Sequence, residues 1–365
     1  MRRILFFSLF SFIYLSNTLC QSSWKDRLQI EGISHYGFLL PADDPIEYFI
    51  TDHITGYQLN VGIQTNGSEK WQKDYNYPIL GVGYYHSGLS NASIYGTVNA
   101  IFFYVDRKFL NFNNRFNIGN KVEYGFGYVS KINNLQTNPF NVAISSHLNI
   151  FLSYSLNTTV RITPLLDFKV GLGFSHLSNG RLYSPNKGLN FITSSAGFQY
   201  SFSNQTNNII NSFKDVNEAS KNKLILTVGA GKKQLYRKSS DRFWVSSVSA
   251  EYARHLFRNS YVGFALNTYY DKSLKKELEY KNLPFKENDY WRMSLNLSYE
   301  IQMGHFSYLF QPGIYLINPF KNVGKMSNRL VLRYSINDHW LTSVAVKAHW
   351  VSIADVIEWG IAYRL

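Results

Sequence analysis

Residues 174–202 read FSHLSNGRLYSPNKGLNFITSSAGFQYSF. An apolar run ends in His176-Leu-Ser178-Asn179-Gly180, a loop marked by Pro185 and Gly188 follows, and an alternating segment resumes at Asn190. The pattern is strand, loop, strand, with like side chains at every second position. The segment just before it, LLDFKVGLGF at 165–174, alternates in the same way. On such a strand His176 and Ser178, two residues apart, project from one face. An imidazole beside a hydroxyl on a rigid surface is the minimum for an activated serine nucleophile, because the imidazole takes the proton that makes the oxygen reactive. Its second nitrogen needs a partner. Asn190, arriving on the next strand, is the nearest, and Asp167 on the preceding strand is an acidic alternative whose face the pattern leaves open.

Outward from this stretch the same period recurs. Alternating runs cover 28–39, 57–65, 77–85, 93–105 and 121–129. Residues 141–156 are less regular, and 145–155 is the one helix candidate. The pattern lapses at 203–223, which is polar and Asn-rich and reads as a long connection. It resumes at 224–236, 243–255, 261–270, 291–302, 306–316, 329–335, 340–350 and 356–365. Two of these runs end alike, Gly197-x-x-Tyr200-x-Phe202 and Gly360-x-x-Tyr363-x-Leu365, as closing strands of related barrels would.

Of the 365 residues, 17 % are aromatic, with 27 Tyr and 27 Phe, yet no apolar run beyond the N-terminus is long enough for a membrane helix. Export is expected from residues 1–20, which join Arg2 and Arg3 to an apolar stretch at 4–15 and a small, polar exit. Cys20 is the only cysteine, so its removal by cleavage or its lipidation are the two fates weighed, and disulfides are excluded. An exported, aromatic-rich chain of alternating strands has one way to span lipid, a closed antiparallel β-barrel. The expected fold is therefore all-β, of the outer-membrane type, with about 12 to 16 strands. One enlarged barrel is the first arrangement and two successive compact barrels the second. The expected organisation is a signal peptide at 1–20, a first half at 21–202 carrying the motif, a linker at 203–223 and a second strand half at 224–365.

No phosphate loop or dinucleotide fingerprint occurs, and the scattered histidines show no metal-ligand spacing, so no cofactor is expected. Lys347, His349 and Trp350 with Asp355, Glu358 and Trp359 read as a rim or strand feature rather than a second site.

The residues from His176 to Asn190 resemble the outer-membrane lipid A 3-O-deacylases of the PagL type, also called acyloxyacyl-hydrolase-like proteins. Their motif runs His-x-Ser-Asn, a short loop, Pro-Asn-x-Gly and then an acidic residue. This chain gives His176-x-Ser178-Asn179 and Pro185-Asn186-x-Gly188, with Asn190 where the acid is expected. The resemblance implies Ser178 as nucleophile, His176 as general base and Asn190 as an uncharged third member. It also implies an oxyanion-hole region at Asn179, Gly180 and Asn186. Arg181, Lys187 and Arg161 are the candidate contacts to lipid A phosphates. The reaction implied is hydrolysis of an ester-linked acyl chain on the barrel's exterior; the alternatives are a non-enzymatic barrel, channel or structural, with a vestigial motif, which Asn190 keeps open, and an outer-membrane phospholipase. The net charge of +13 suits Lys and Arg at a rim meeting the phosphates of lipopolysaccharide. The expected partners are therefore lipid A and the outer membrane, with no nucleic acid and with a homodimer allowed for. The resemblance spans 24–202 and says little of 224–365.

Overall fold

The computed structural model describes residues 24–113, 115–203, 221–236, 241–321, 324–349 and 353–365. The N-terminal export segment, Cys20, most of the 203–223 connection and Trp350 lie outside the described residues. Sixteen strands form two closed antiparallel rings of eight. The first holds β1 (Leu28–Leu40), β2 (Ile54–Gln64), β3 (Ile79–Gly88), β4 (Thr97–Phe112), β5 (Phe116–Val129), β6 (Leu148–Arg161), β7 (Leu166–Ser178) and β8 (Leu189–Ser201). The second holds β9 (Asn222–Gln234), β10 (Arg242–Phe257), β11 (Ser260–Asp271), β12 (Trp291–Met303), β13 (Phe306–Ile317), β14 (Met326–Ser335), β15 (Trp340–His349) and β16 (Ile353–Arg364).

The strand count is the upper end of the expected range, but the arrangement is two compact barrels and not one enlarged ring. β8 closes on β1, from Gln29 opposite Ser201 to Leu40 opposite Asn190. β16 closes on β9, from Trp359 opposite Ala230 to Arg364 opposite Ile225. The two Gly-x-x-Tyr endings thus lie on the two closing strands. Eight strands leave a bore that side chains can fill, whereas sixteen would leave a water channel. Here the inward residues are polar, charged and aromatic, and the charged ones meet one another. In the first barrel Lys169 Nζ lies 2.6 Å from Glu31 and 2.5 Å from Asp106, and Lys121 also pairs with Glu31. Above this network Tyr85 stacks with Phe151 and Phe191. In the second, Arg333 pairs with Glu251 at 2.8 Å and Arg329 with Glu358 at 3.2 Å. Buried charges are tolerable only when paired in this way.

The outward residues are apolar. Ile101 and Phe103 on β4, Leu172 on β7, Val228 on β9 and Trp359 and Ile361 on β16 each expose more than three-fifths of their surface. Such a surface on both rings is lipid-facing. The candidate helix at 145–155 is the end of a loop followed by strand β6 from Leu148. Leu152, Tyr154 and Leu156 face out while Phe151 points into the core, Ile150 shares the outer parity but is buried, and β5 and β7 pair on either side. Among the described residues the α-helices lie in loops: α1 (Asp44–Glu47), α2 (Lys70–Asp74) and α3 (Leu274–Tyr280). In the first barrel, the end reached by β1, β3, β5 and β7 carries the loops 41–53, 89–96, 130–147 and 179–188. The motif sits at that end.

Candidate active site

β7 alternates cleanly. Asp167, Lys169, Ser175 and Leu177 are buried inside the barrel, and Leu172 and Phe174 are exposed outside. His176 and Ser178 share the outer parity, as period two requires. Asn190 is directly opposite His176 in the β7–β8 ladder, so it too faces out. The three side chains meet. Ser178 Oγ lies 3.0 Å from His176 Nε2, and His176 Nδ1 lies 2.6 Å from Asn190 Oδ1. An amide oxygen only accepts, so the imidazole proton sits on Nδ1 and Nε2 is left to receive the serine proton. Ser178 is 7 % exposed. On the other flank Leu152 stands opposite His176 and Ile150 opposite Ser178, which gives the pair an apolar neighbour on the same outer face.

The loop after Ser178 is built by its own asparagines. The Asn179 backbone N–H donates to Asn186 Oδ1 at 3.1 Å. The Asn179 side chain donates to Ser146 Oγ at 2.8 Å, and Ser146 donates on to Asn149. Gly180 and Gly188 both have positive φ, +59° and +81°, which glycine adopts without penalty. Gly188 also lies against the imidazole: a Cβ there would stand 2.8 Å from His176 Cε1. Asn179, Gly180 and Asn186 therefore belong to the loop that follows Ser178, with the Asn179 amide occupied by Asn186.

The cationic candidates fare differently. Arg161 is at the opposite end of the strands, 3.1 Å from Asp167, so it is no neighbour of the site. Asp167 lies inside the barrel at that same end and is no alternative to Asn190. Arg181 turns away to the second barrel, 3.4 Å from Glu277 and 3.6 Å from Asp355, and those carboxylates already engage its charge. Lys187 stays at the rim, 2.8 Å from Asp43, and both are well exposed. Its hydrogen bond holds the Asp43 carboxyl below the usual carboxylate range. Lys347, His349 and Asp355 prove to be interior residues of the second barrel, where Lys347 lies 2.6 Å and His349 3.3 Å from Asp355. Ser146 and Asn149 escape a reading of the sequence, because they come from the end of a loop and the start of β6 some thirty residues earlier, with no spacing to mark them.

Among the described residues no cluster of His, Cys, Asp and Glu could hold a metal. Fold and site together define an outer-membrane-type β-barrel with a serine-histidine pair on its outer wall. Residues 55–199 match the family model described as lipid A 3-O-deacylase (PagL), and residues 222–365 match that of the acyloxyacyl hydrolase C-terminal domain. The chain belongs to this lipid A deacylase family. No curated protein sequence matches it. Among solved structures it is similar to Neisserial surface protein A, with a TM-score of 0.33 at 10 % identity over 48 % of this chain and 96 % of that one. It is also similar to a deletion mutant of the monoaromatic hydrocarbon channel TodX, with a TM-score of 0.19 at 8 % identity over 93 % and 90 %. The Acinetobacter baumannii outer membrane protein Omp33 gives 0.18 at 8 % identity over 94 % and 99 %. At these scores nothing further is drawn from the likenesses.

Proposed function

We propose that the protein is an outer-membrane serine esterase that removes an ester-linked acyl chain from the lipid A of lipopolysaccharide. The observation that carries this is the chain of contacts from Ser178 to His176 to Asn190, whose side chains have the outward parity of β7 and β8. The acyl chain stays in hydrocarbon beside Ile150, Leu152 and Phe174, with its ester at the level of the strand ends. Ser178 Oγ attacks the ester carbonyl as His176 Nε2 takes its proton. The tetrahedral oxyanion collapses, the C–O bond to the sugar hydroxyl breaks, and His176 returns the proton to that oxygen. Water then attacks the acyl-serine by the same route and releases the fatty acid. Asn190 fixes the tautomer without supplying charge, which makes it a weaker support for imidazolium than a carboxylate. Lys187 is the rim cation best placed to meet a lipid A phosphate, since its exposed partner Asp43 is readily exchanged.

The test is release of a hydroxy fatty acid from lipopolysaccharide by the purified protein in detergent, with glycerophospholipid offered in parallel. Ser178→Ala and His176→Ala are each expected to abolish release. Equal release by wild type and Ser178→Ala removes the serine mechanism, and a preference for glycerophospholipid makes the protein a phospholipase.

A further inference from the structure

The second barrel holds no His-x-Ser-Asn motif, yet it touches the candidate-site loop at several points. Three residues past Ser178, Arg181 adopts φ +67°, directly after Gly180 at +59°. A left-handed arginine is disfavoured unless its surroundings hold it. Here the surroundings belong to the other barrel. The Arg181 carbonyl accepts the Gln234 backbone N–H at 2.9 Å, and the Ser184 N–H donates to the Gln234 side chain at 3.1 Å. The Arg181 guanidinium pairs with Glu277 and Asp355 at the mouth of the second barrel. Arg242 lies over the Tyr183 ring at 4.3 Å. Gly180 packs so closely on Ile357 of β16 that a Cβ there would collide with it.

We propose that Arg181 is a positioning residue, through which the second barrel clamps loop 179–188 and so fixes the backbone beside Ser178 for catalysis. This assigns the second barrel a task in the reaction, and it rests on the esterase reading of Ser178. The loop's own asparagines tie it to the first barrel, and the clamp supplies the second anchor. Without it the loop keeps one fixed side, and the geometry around the nucleophile loosens. A misplacement near 1 Å costs about a hundredfold in rate. The clamp can be removed without emptying the second barrel of its charge balance. Lys233, Arg292 and Lys347 already equal Asp271, Glu277 and Asp355 in number, three against three.

The experiment uses the full chain in detergent and one substitution on each side of the clamp: Arg181→Gln, which removes the pairing with Glu277 and Asp355, and Gln234→Ala, which removes the bond to the Ser184 N–H. Each is expected to lower kcat about tenfold to a hundredfold with KM changed less than twofold, and Arg181→Lys should recover part of the loss. Hydrogen exchange read by mass spectrometry should rise in the peptide spanning 181–188 in both variants. Wild-type kcat in both variants, or unchanged exchange in that peptide, overturns the clamp. Absence of fatty acid release from the wild type instead overturns the esterase reading, and the exchange measurement still reports on the docking.

Discussion

Gly188→Ala offers the sharpest probe of the catalytic geometry, because it adds one methyl group to a site that has no room for it. The new Cβ would lie 2.8 Å from His176 Cε1, against an ordinary contact limit of 3.4 Å. The ring must therefore yield by about 0.6 Å, the difference between those two distances. Cε1 sits between the two ring nitrogens, and each nitrogen is committed, one to Asn190 at 2.6 Å and the other to Ser178 at 3.0 Å. Moving the carbon disturbs both bonds together. Scaled from a hundredfold per ångström, the displacement should lower kcat by about 10- to 30-fold, or about 1.4–2 kcal/mol of barrier. The positive φ of +81° adds strain of about 1–2 kcal/mol, which falls on loop stability. Gly304→Ala is the control. It also has positive φ, at +59°, but lies in a turn remote from the site, where its nearest contact is 3.2 Å from Trp71. The assay is initial-rate acyl release at saturating lipopolysaccharide. Gly304→Ala should keep wild-type kcat, and a Gly188→Ala enzyme within twofold of wild type would refute the proposed packing of the imidazole.

Two further outcomes follow from the same geometry. Asn190→Asp is isosteric and places a carboxylate on His176 Nδ1; a charge-assisted bond stronger by about 1 kcal/mol should keep or raise kcat by up to about fivefold, while Asn190→Ala should lower it. A loss in Asn190→Asp equal to that in Asn190→Ala would show that Asn190 does not orient the imidazole. In the second barrel Asp355 faces Lys233 at 2.7 Å, Lys347 at 2.6 Å and Arg292 at 3.3 Å, all fully buried. Asp355→Asn leaves those cations short of a counter-charge and should destabilise the barrel by about 3–5 kcal/mol, read as a shift in the urea midpoint.

The sequence by itself determined most of the strands, β6 excepted, because membrane strands advertise themselves through local alternation: one face meets lipid and the other meets the bore. It also determined that His176 and Ser178 share a face, since two residues apart on a strand means one face whatever the rest of the chain does. Asn190 was legible as a neighbour in the motif, and the ladder puts it opposite His176. What only the tertiary structure decided is which distant edges join. The pairing of Gln29 with Ser201 spans most of the first half, and no local pattern says whether β8 should close on β1 or run on to β9. The same limit hid the partners of Arg181. Glu277 and Asp355 lie far along the chain, and they become its neighbours only once both rings have closed side by side. Period and spacing act over a few residues. Ring closure and inter-barrel contact depend on how filled bores and paired charges balance across the whole molecule.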